Sequence, residues 1–473
     1  MFYIGITLLV LLVGALLVLM TKEKNSRVIG LASSGLALLL IIAMFASASL
    51  SINPIQNENY GLYITPFNIH LQFQINIFSL ILTLMSAIVA FTAILGGDVE
   101  LSNTKGKTFL LLLFELSAIA LFSSTNLFLF YIFFDFGVII AFFMIYLYGG
   151  ANKRRASLKF IAYEFSSSML LLIAIILLYT SAHTFNINLI IQNINSINSS
   201  TQIIIFTLLL IAFMINMPIF PFHSWLPDAY TEAPTQGSMI LGGILSKFGG
   251  YGLLLTFLML PISHTYNIQV ILLILGIIST FYAAFVLMSR HDLKRIIAYS
   301  AIIEMGIVLV GIASLTKIGF DGALIVLFAQ GVTIALMFII AGSIEKVFEE
   351  RDTRFLRGVI KSTLSDAYSF TIGIFALGGI PLSIGFIGDL LIFTGALNSF
   401  SIFGIIPLFA LLIGILFLYY INSKSILNTY GEISKSINSV KIEQKLSYAI
   451  LIFTLFFFGI FPFLFTNFFK FLI

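Results

Sequence analysis

Long apolar runs, separated by short polar stretches, cover this chain from end to end. A helix rising 1.5 Å per residue needs about 20 residues to cross a hydrocarbon core of roughly 30 Å. Fourteen runs meet that requirement, at approximately 2–21, 28–50, 70–96, 107–124, 126–148, 157–182, 202–218, 236–259, 268–289, 294–314, 318–344, 366–396, 402–423 and 446–470. Sustained period-two alternation, the mark of a membrane barrel, is absent, so helices are the expected spanning element. The pattern predicts an all-α integral membrane protein of about fourteen transmembrane helices.

Two of these helices are broken. The seventh carries Pro218 and Pro221, and the twelfth carries Gly378, Gly379 and Pro381. Proline removes a backbone donor, and in hydrocarbon the freed carbonyls must be satisfied by protein or water. Interrupted helices five spans apart suggest two five-helix repeats and an ion path between them; prolines that occur in membrane helices for no functional reason are the alternative.

Basic residues give the topology. Of 24 Lys and Arg, all but Lys247, Lys317 and Lys470 fall in odd-numbered loops or at their edges. That bias predicts an even number of crossings, odd loops in the cytoplasm and both termini on the outer side of a prokaryotic cell membrane. The first run is followed by Lys22, Glu23 and Lys24 and has no basic stretch before it, so it reads as a retained helix and not as a signal peptide.

Composition narrows the chemistry. The chain of 473 residues is 60% hydrophobic and 9% charged, with a mean hydropathy of +1.10. It has no cysteine, which excludes disulfides and thiolate-held clusters. None of the five histidines, all placed in loops or at helix ends, has a partner at metal-ligand spacing, so no metal or redox cofactor is expected in this chain. The net charge of +4 follows the topology and gives no support for nucleic acid as a partner.

Six ionisable residues lie within the spans: Glu115, Asp135, Glu164, Lys247, Glu304 and Asp389. A charge at the centre of a helix costs roughly 2.5–3.5 kcal/mol on insertion scales, or on the order of 15–20 kcal/mol for six unpaired ones. Five carboxyls against one ammonium leave an untenable net charge in low dielectric, so most of the carboxyls are expected to be protonated. Lys247 lies about 18 Å from either end of its helix, beyond the reach of a lysine stem. It reads either as a static buried ion pair or as a proton relay. Asp135 and Glu115, central in their spans, read as relay groups or as satisfied interhelical hydrogen bonds. Asp389 follows the break in the twelfth span. Glu164 stands only about seven residues into its span, a position expected at an aqueous mouth.

The stretch "PFHSWLPDAYTEAPTQGSMILGGILSKFGGYG", which includes His223, resembles the core of the antiporter-like subunits of respiratory complex I, related hydrogenases and Mrp-type Na⁺/H⁺ antiporters. Its "LPDAYTEAPT" is similar to the M-type subunit. "FYIFFDFGVIIAFFMIYLYGG", "HDLKRIIAYSAIIEMGIVLVG" and "GFIGDLLIFTGAL" extend the resemblance from about Phe109 to Leu397. It implies inverted repeats at spans four to eight (107–259) and nine to thirteen (268–423), after an N-terminal three-helix region (1–106) and before a C-terminal loop and helix (424–473).

The resemblance further implies a subunit that itself does no bond chemistry within a quinone-oxidoreductase translocase. Protons would move along a buried axis through Asp135, Lys247, Glu304 and Asp389. Further antiporter-like and small helical subunits would be its partners, and quinone, iron–sulfur clusters and flavin or another electron-input module would lie in partner subunits. The family's usual lysine before the seventh-span proline is Asn216 here, an amide that cannot exchange a proton at accessible pH. Glu304 and Gln330 stand where histidines are common. These departures leave a pumping subunit, in which Glu304 pairs with Lys247, an Mrp-type antiporter, and a non-pumping spacer as the readings to separate.

Overall fold

The computed structural model describes residues 3–50, 56–64, 69–97, 104–260, 266–428 and 440–466. Its helices are α1 (Tyr3–Met20), α2 (Glu23–Leu50), α3 (Ile77–Gly96), α4 (Thr104–Ser123), α5 (Leu127–Tyr148), α6 (Lys153–Ala182), the short α7 (Ile187–Asn193), α8 (Ser199–Asn216), α9 (Trp225–Glu232), α10 (Thr235–Ile240) and α11 (Ser246–Met259). They continue with α12 (Tyr266–Met288), α13 (Leu293–Ala313), α14 (Lys317–Phe348), the one-turn α15 (Val359–Ser362), α16 (Leu364–Leu377), α17 (Ile384–Phe400), α18 (Ile406–Ile421), α19 (Ile442–Ile460) and the one-turn α20 (Phe463–Thr466). The expected end of the last span, with Lys470, lies outside the described residues, as does His264.

Thirteen stretches among the described residues are long and apolar enough to cross a membrane. One of them, Ile384–Ile426, has 43 residues, about twice what one crossing needs. It is interrupted at Ser401–Ile405, where Ser401 has φ 51°, so it supplies two of the fourteen expected spans.

Three spans, Thr235–Met259, Leu293–Ala313 and Lys317–Phe348, each hold an 18-residue stretch that is wholly enclosed by the bundle. Most of the others turn an apolar face outward, with side chains such as Leu9, Leu39, Phe285 and Phe409 more than half exposed. In lipid that face is the solvated one. The enclosed helices carry Lys247, Glu304 and Gln330, whose side chains are buried within the bundle.

The third span departs from expectation. Residues 70–76 are not helical: Ile69–Ile75 is a strand (β2) paired antiparallel with Gln56–Ile64 (β1), and Tyr63 faces His70 across the pair. His70 therefore sits on a strand, not in a loop or at a helix end. The cause is local, because "IHLQFQI" alternates apolar and polar residues at period two. Helix α3 starts only after Asn76, whose Oδ1 accepts from Ser79 N at 2.9 Å while Ser79 Oγ accepts from Asn76 N at 2.9 Å. That reciprocal pair satisfies two donors at the helix start.

Candidate functional site

The two expected breaks are present. Helix α8 stops at Asn216, and Pro218 and Pro221 occupy the gap before α9. Three carbonyls near the end of α8 find donors. Phe213 O accepts from Met217 N at 2.8 Å and Met214 O from Ile219 N at 3.0 Å. Ile215 O accepts from the indole Nε1 of Trp225, the chain's single tryptophan, at 2.9 Å. The second break runs from Leu377 to Ile384 around Pro381.

A third irregularity interrupts the eighth span, which was expected as one continuous helix. Leu241–Leu245 forms a π turn between α10 and α11. A π turn leaves carbonyls outside the i→i−4 ladder, and such turns are frequent at functional sites. Tyr230 OH donates to Leu241 O at 2.9 Å. The Nζ of Lys247 donates to Gly242 O and lies 3.2 Å from Ser246 Oγ. The π turn also lets backbone meet backbone: a Cβ on Gly243 would lie 3.1 Å from Gly331 O, next to Gln330 on α14.

These contacts correct the expected pairing of Lys247 with Glu304. No carboxylate oxygen lies within 4.0 Å of the Lys247 ammonium among the described residues; its closest partner is a backbone carbonyl. Glu304 lies within electrostatic reach of Lys247 on one side and of Asp389 on the other. The π turn explains the difference, since it offers Lys247 an acceptor on its own helix.

Glu164 is the second correction. It stands eleven residues after Lys153, where α6 starts, and is fully buried. It is therefore not at an aqueous mouth, because the helix begins earlier than the hydropathy suggested. Asn216 Nδ2 donates to Glu164 Oε2 at 2.9 Å, and Asn216 Oδ1 accepts from Gly249 N at 2.7 Å. The amide thus joins the carboxyl of α6 to the backbone of α11 two residues beyond Lys247. Close approach is possible only because residue 249 is glycine: a Cβ there would stand 2.6 Å from Phe213 O and 2.7 Å from Met217 N.

The remaining groups divide into two sets. Asp135 is half-buried beside Tyr131 and Ser168, whose hydroxyls are 3.4 Å apart, and it lies within electrostatic reach of Glu164. Asp389 is half-buried at the second break, with its Oδ2 2.8 Å from where a Cβ on Gly379 would be. Gln330 Nε2 donates to Ala301 O at 3.2 Å, tying α14 to the helix of Glu304. Asp135, Glu164, Lys247, Glu304 and Asp389 thus follow one another through the bundle, Asn216 joining the carboxyl of Glu164 to the helix of Lys247.

Glu115 and His223 stand apart from it. Glu115 is fully buried on α4 beside Ser34 of α2, and neither of its oxygens makes a hydrogen bond among the described residues. The His223 ring lies 5.7 Å from Phe220 and 4.7 Å from Tyr282, and its Nδ1 has no partner among the described residues.

Two further members were not singled out from sequence. Tyr230 is within electrostatic reach of Glu164 and lies beside Ser246, so the Tyr230 and Ser246 hydroxyls fill the space between Glu164 and Lys247. Ser246 is adjacent in sequence to Lys247, which was the available signal. Tyr230 carried none beyond its place in "LPDAYTEAPT".

Residues 124–414 match the family described as "NADH:quinone oxidoreductase/Mrp antiporter, TM". The chain is 35% identical over 353 residues to NADH-quinone oxidoreductase subunit M of Rickettsia felis, covering 74% of this chain and 71% of that protein. It is 32% identical over 394 residues to F(420)H(2) dehydrogenase subunit M of Methanosarcina mazei, covering 81% and 79%. Its fold superposes on a chain of respiratory complex I from Thermus thermophilus with TM-score 0.87, at 24% identity over 99% of both chains.

Proposed function

This chain belongs to the NADH:quinone oxidoreductase/Mrp antiporter membrane family, and on that premise we propose that it is a proton-translocating membrane-arm subunit of a complex-I-type quinone oxidoreductase. Electron transfer in partner subunits, which hold the quinone, iron–sulfur and electron-input sites, drives it. The observation that carries this reading is the succession Asp135, Glu164, Lys247, Glu304, Asp389, buried at its middle and half-buried at its ends, in which each group lies within electrostatic reach of a neighbour or is joined to it through Asn216, Tyr230 and Ser246.

The arrangement works by electrostatic coupling. Two unit charges about 8 Å apart at an effective dielectric of ~20 interact by roughly 2 kcal/mol, enough to shift a proton equilibrium by more than tenfold. Glu164 acts on Lys247 through the Tyr230 and Ser246 hydroxyls, so a proton arriving on Glu164 changes the polar surroundings of the Lys247 ammonium. The proton held by Lys247 then passes toward Glu304, and onward to Asp389 at the second break. The acid at 164 supplies the proton-exchanging group that Asn216 cannot, and this favours a pumping subunit over a spacer. Both termini face outward in this reading, with the basic loops on the side of proton entry.

Proton uptake by vesicles holding the whole assembly tests it. Lys247→Ala or Asp389→Asn is expected to lower the protons moved per electron pair without changing assembly. Unchanged coupling in both variants returns the chain to a spacer role, and uptake that depends on Na⁺ replaces the proposal with sodium exchange.

A further inference from the structure

The last crossing runs beside the broken one. Helix α19 is continuous where α16 and α17 are separated by the second break, and it meets that span at two heights. Two turns into α19, Tyr448 OH donates to Oδ1 of Asp366, the third residue of α16, at 3.0 Å. Eleven residues later Gly459 lies against the break itself: a Cβ there would run into Leu382 O and stand 2.6 Å from the carbonyl carbon of Ser383. Eleven residues of helix measure about 16 Å, so α19 meets the broken span at the entrance of α16 and again at the break.

The Asp366 carboxyl is fully buried and is met by hydroxyls from both neighbouring helices. Besides Tyr448, Ser343 Oγ of α14 donates to Oδ2 at 2.9 Å, and the hydroxyl of Thr363, at the head of α16, lies beside it. The charged group within reach is Lys445, three residues before Tyr448. Both donors stand on anchored helices. Ser447, next to Tyr448, donates to Thr92 O of α3 at 3.2 Å, and Gly342, next to Ser343, packs against Thr235 at the start of α10. On its other side α16 is held by Asn422, just past α18, whose Nδ2 donates to Thr371 Oγ1 at 2.9 Å.

These ties act on the far end of α16. Gly378 N, Gly379 N and Ile380 N donate to Ile374 O, Ala376 O and Phe375 O at 3.0–3.2 Å, so the break is built on the last turn of α16 and moves with it. Thr363 before α16 and Gly379 after it are both non-helical, so packing and side-chain ties set the height of this half-helix in the bundle. Gly379 in turn stands against Asp389 Oδ2.

We propose that Asp366 is a positioning residue for proton transfer at Asp389: it fixes α16 between α14 and α19, and with it the break on which the Asp389 carboxyl rests. A carboxyl suits this place because it accepts from several donors at once, and its removal strands the buried Tyr448 hydroxyl. The effect on uptake rests on the relay reading above; the effect on the break does not.

Hydrogen–deuterium exchange of the Gly378–Ile380 amides, measured by mass spectrometry on the whole assembly in nanodiscs, reads the break, and vesicle uptake reads the relay. Asp366→Ala is expected to speed that exchange roughly 10- to 100-fold and to lower the protons moved per electron pair. Tyr448→Phe, which removes one donor and leaves Ser343 and Thr363 in place, is expected to do the same to a smaller degree, and it carries the test if Asp366→Ala does not assemble. Asp366→Asn can still accept from Tyr448 and can donate to Ser343 Oγ, so it is expected to stay near the wild type in both readouts. Ser447→Ala, which loosens α19 from α3 beside the same site, is expected to leave exchange at the break unchanged.

Wild-type exchange in both Asp366→Ala and Tyr448→Phe overturns the proposal. So does equally fast exchange in Ser447→Ala, which marks a general loosening of α19. Loss of uptake in Asp366→Asn with wild-type exchange makes Asp366 a proton-exchanging acid in place of a positioning one. Full uptake in Asp389→Asn together with fast exchange in Asp366→Ala supports the tie to the break and rejects the relay reading, which separates the two failures.

Discussion

Asn216 and Glu164, 52 residues apart in sequence, are joined by a 2.9 Å hydrogen bond from amide to carboxyl, both side chains fully buried. The pair places an acid next to an amide where the family pattern led us to expect a lysine.

Glu164→Gln keeps an acceptor for Asn216 and so leaves the fold in place. Stability is expected to change by no more than about 0.5 kcal/mol, while proton uptake per electron pair falls at least about tenfold if the carboxyl exchanges protons. Thermal melting and vesicle uptake on the same preparation separate the two effects. Uptake at the wild-type level would make Glu164 a structural acid. Asn216→Ala, by contrast, strands both Glu164 Oε2 and Gly249 N, at about 1–3 kcal/mol for each buried unsatisfied group.

Lys247→Arg is a second test of the relay. A guanidinium fills the site and can still donate to Gly242 O, but it holds its proton at any accessible pH. Assembly is expected to survive and coupled uptake to be lost. A Lys247→Arg assembly that pumps normally shows that residue 247 has only to carry a charge.

Gly249→Ala tests the close approach of α8 and α11. Its methyl would press on Phe213 O and Met217 N, backbone atoms that cannot rotate away. Overpacking of this kind costs about 1–3 kcal/mol, read as a lower melting temperature of the assembly.

Gly379→Ala acts at the other break. Gly379 has φ 60°, a region that costs a non-glycine residue roughly 1 kcal/mol. Its new Cβ also meets Asp389 Oδ2 at 2.8 Å. The carboxyl must move, so uptake is expected to fall more than stability does. An unchanged proton yield shows that the position of Asp389 at the break does not matter to coupling.

The spans and both proline breaks were legible because hydropathy and proline act over a few neighbouring residues. The strand at Ile69–Ile75 was legible too, in the alternation of "IHLQFQI", but the long apolar run that follows it obscured the change of period. The π turn was not. "LGGIL" announces close backbone approach, yet whether a glycine pair is passed in α or π geometry depends on what meets it, here Gly331 of α14 and the hydroxyl of Tyr230. The candidate site was legible as a set of residues, since charges in an apolar span are conspicuous. Its connections were not: Glu164 meets Asn216 only through the crossing of α6 and α8, and Lys247 turns to Gly242, a carbonyl of the π turn on its own helix.

That wide turn also stores a rotation. A π turn accommodates one residue more than an α turn, and one α-helical residue corresponds to about 100° of rotation and 1.5 Å of rise. Lys247 stands two residues past it. If the extra residue were passed along α11, the lysine would swing by about 100°, a little over a quarter of a circle, while the helix ends stayed where they are. Its ammonium would exchange Gly242 for a different neighbour, so the bulge gives the midpoint of the succession a hinge of its own, independent of either proline.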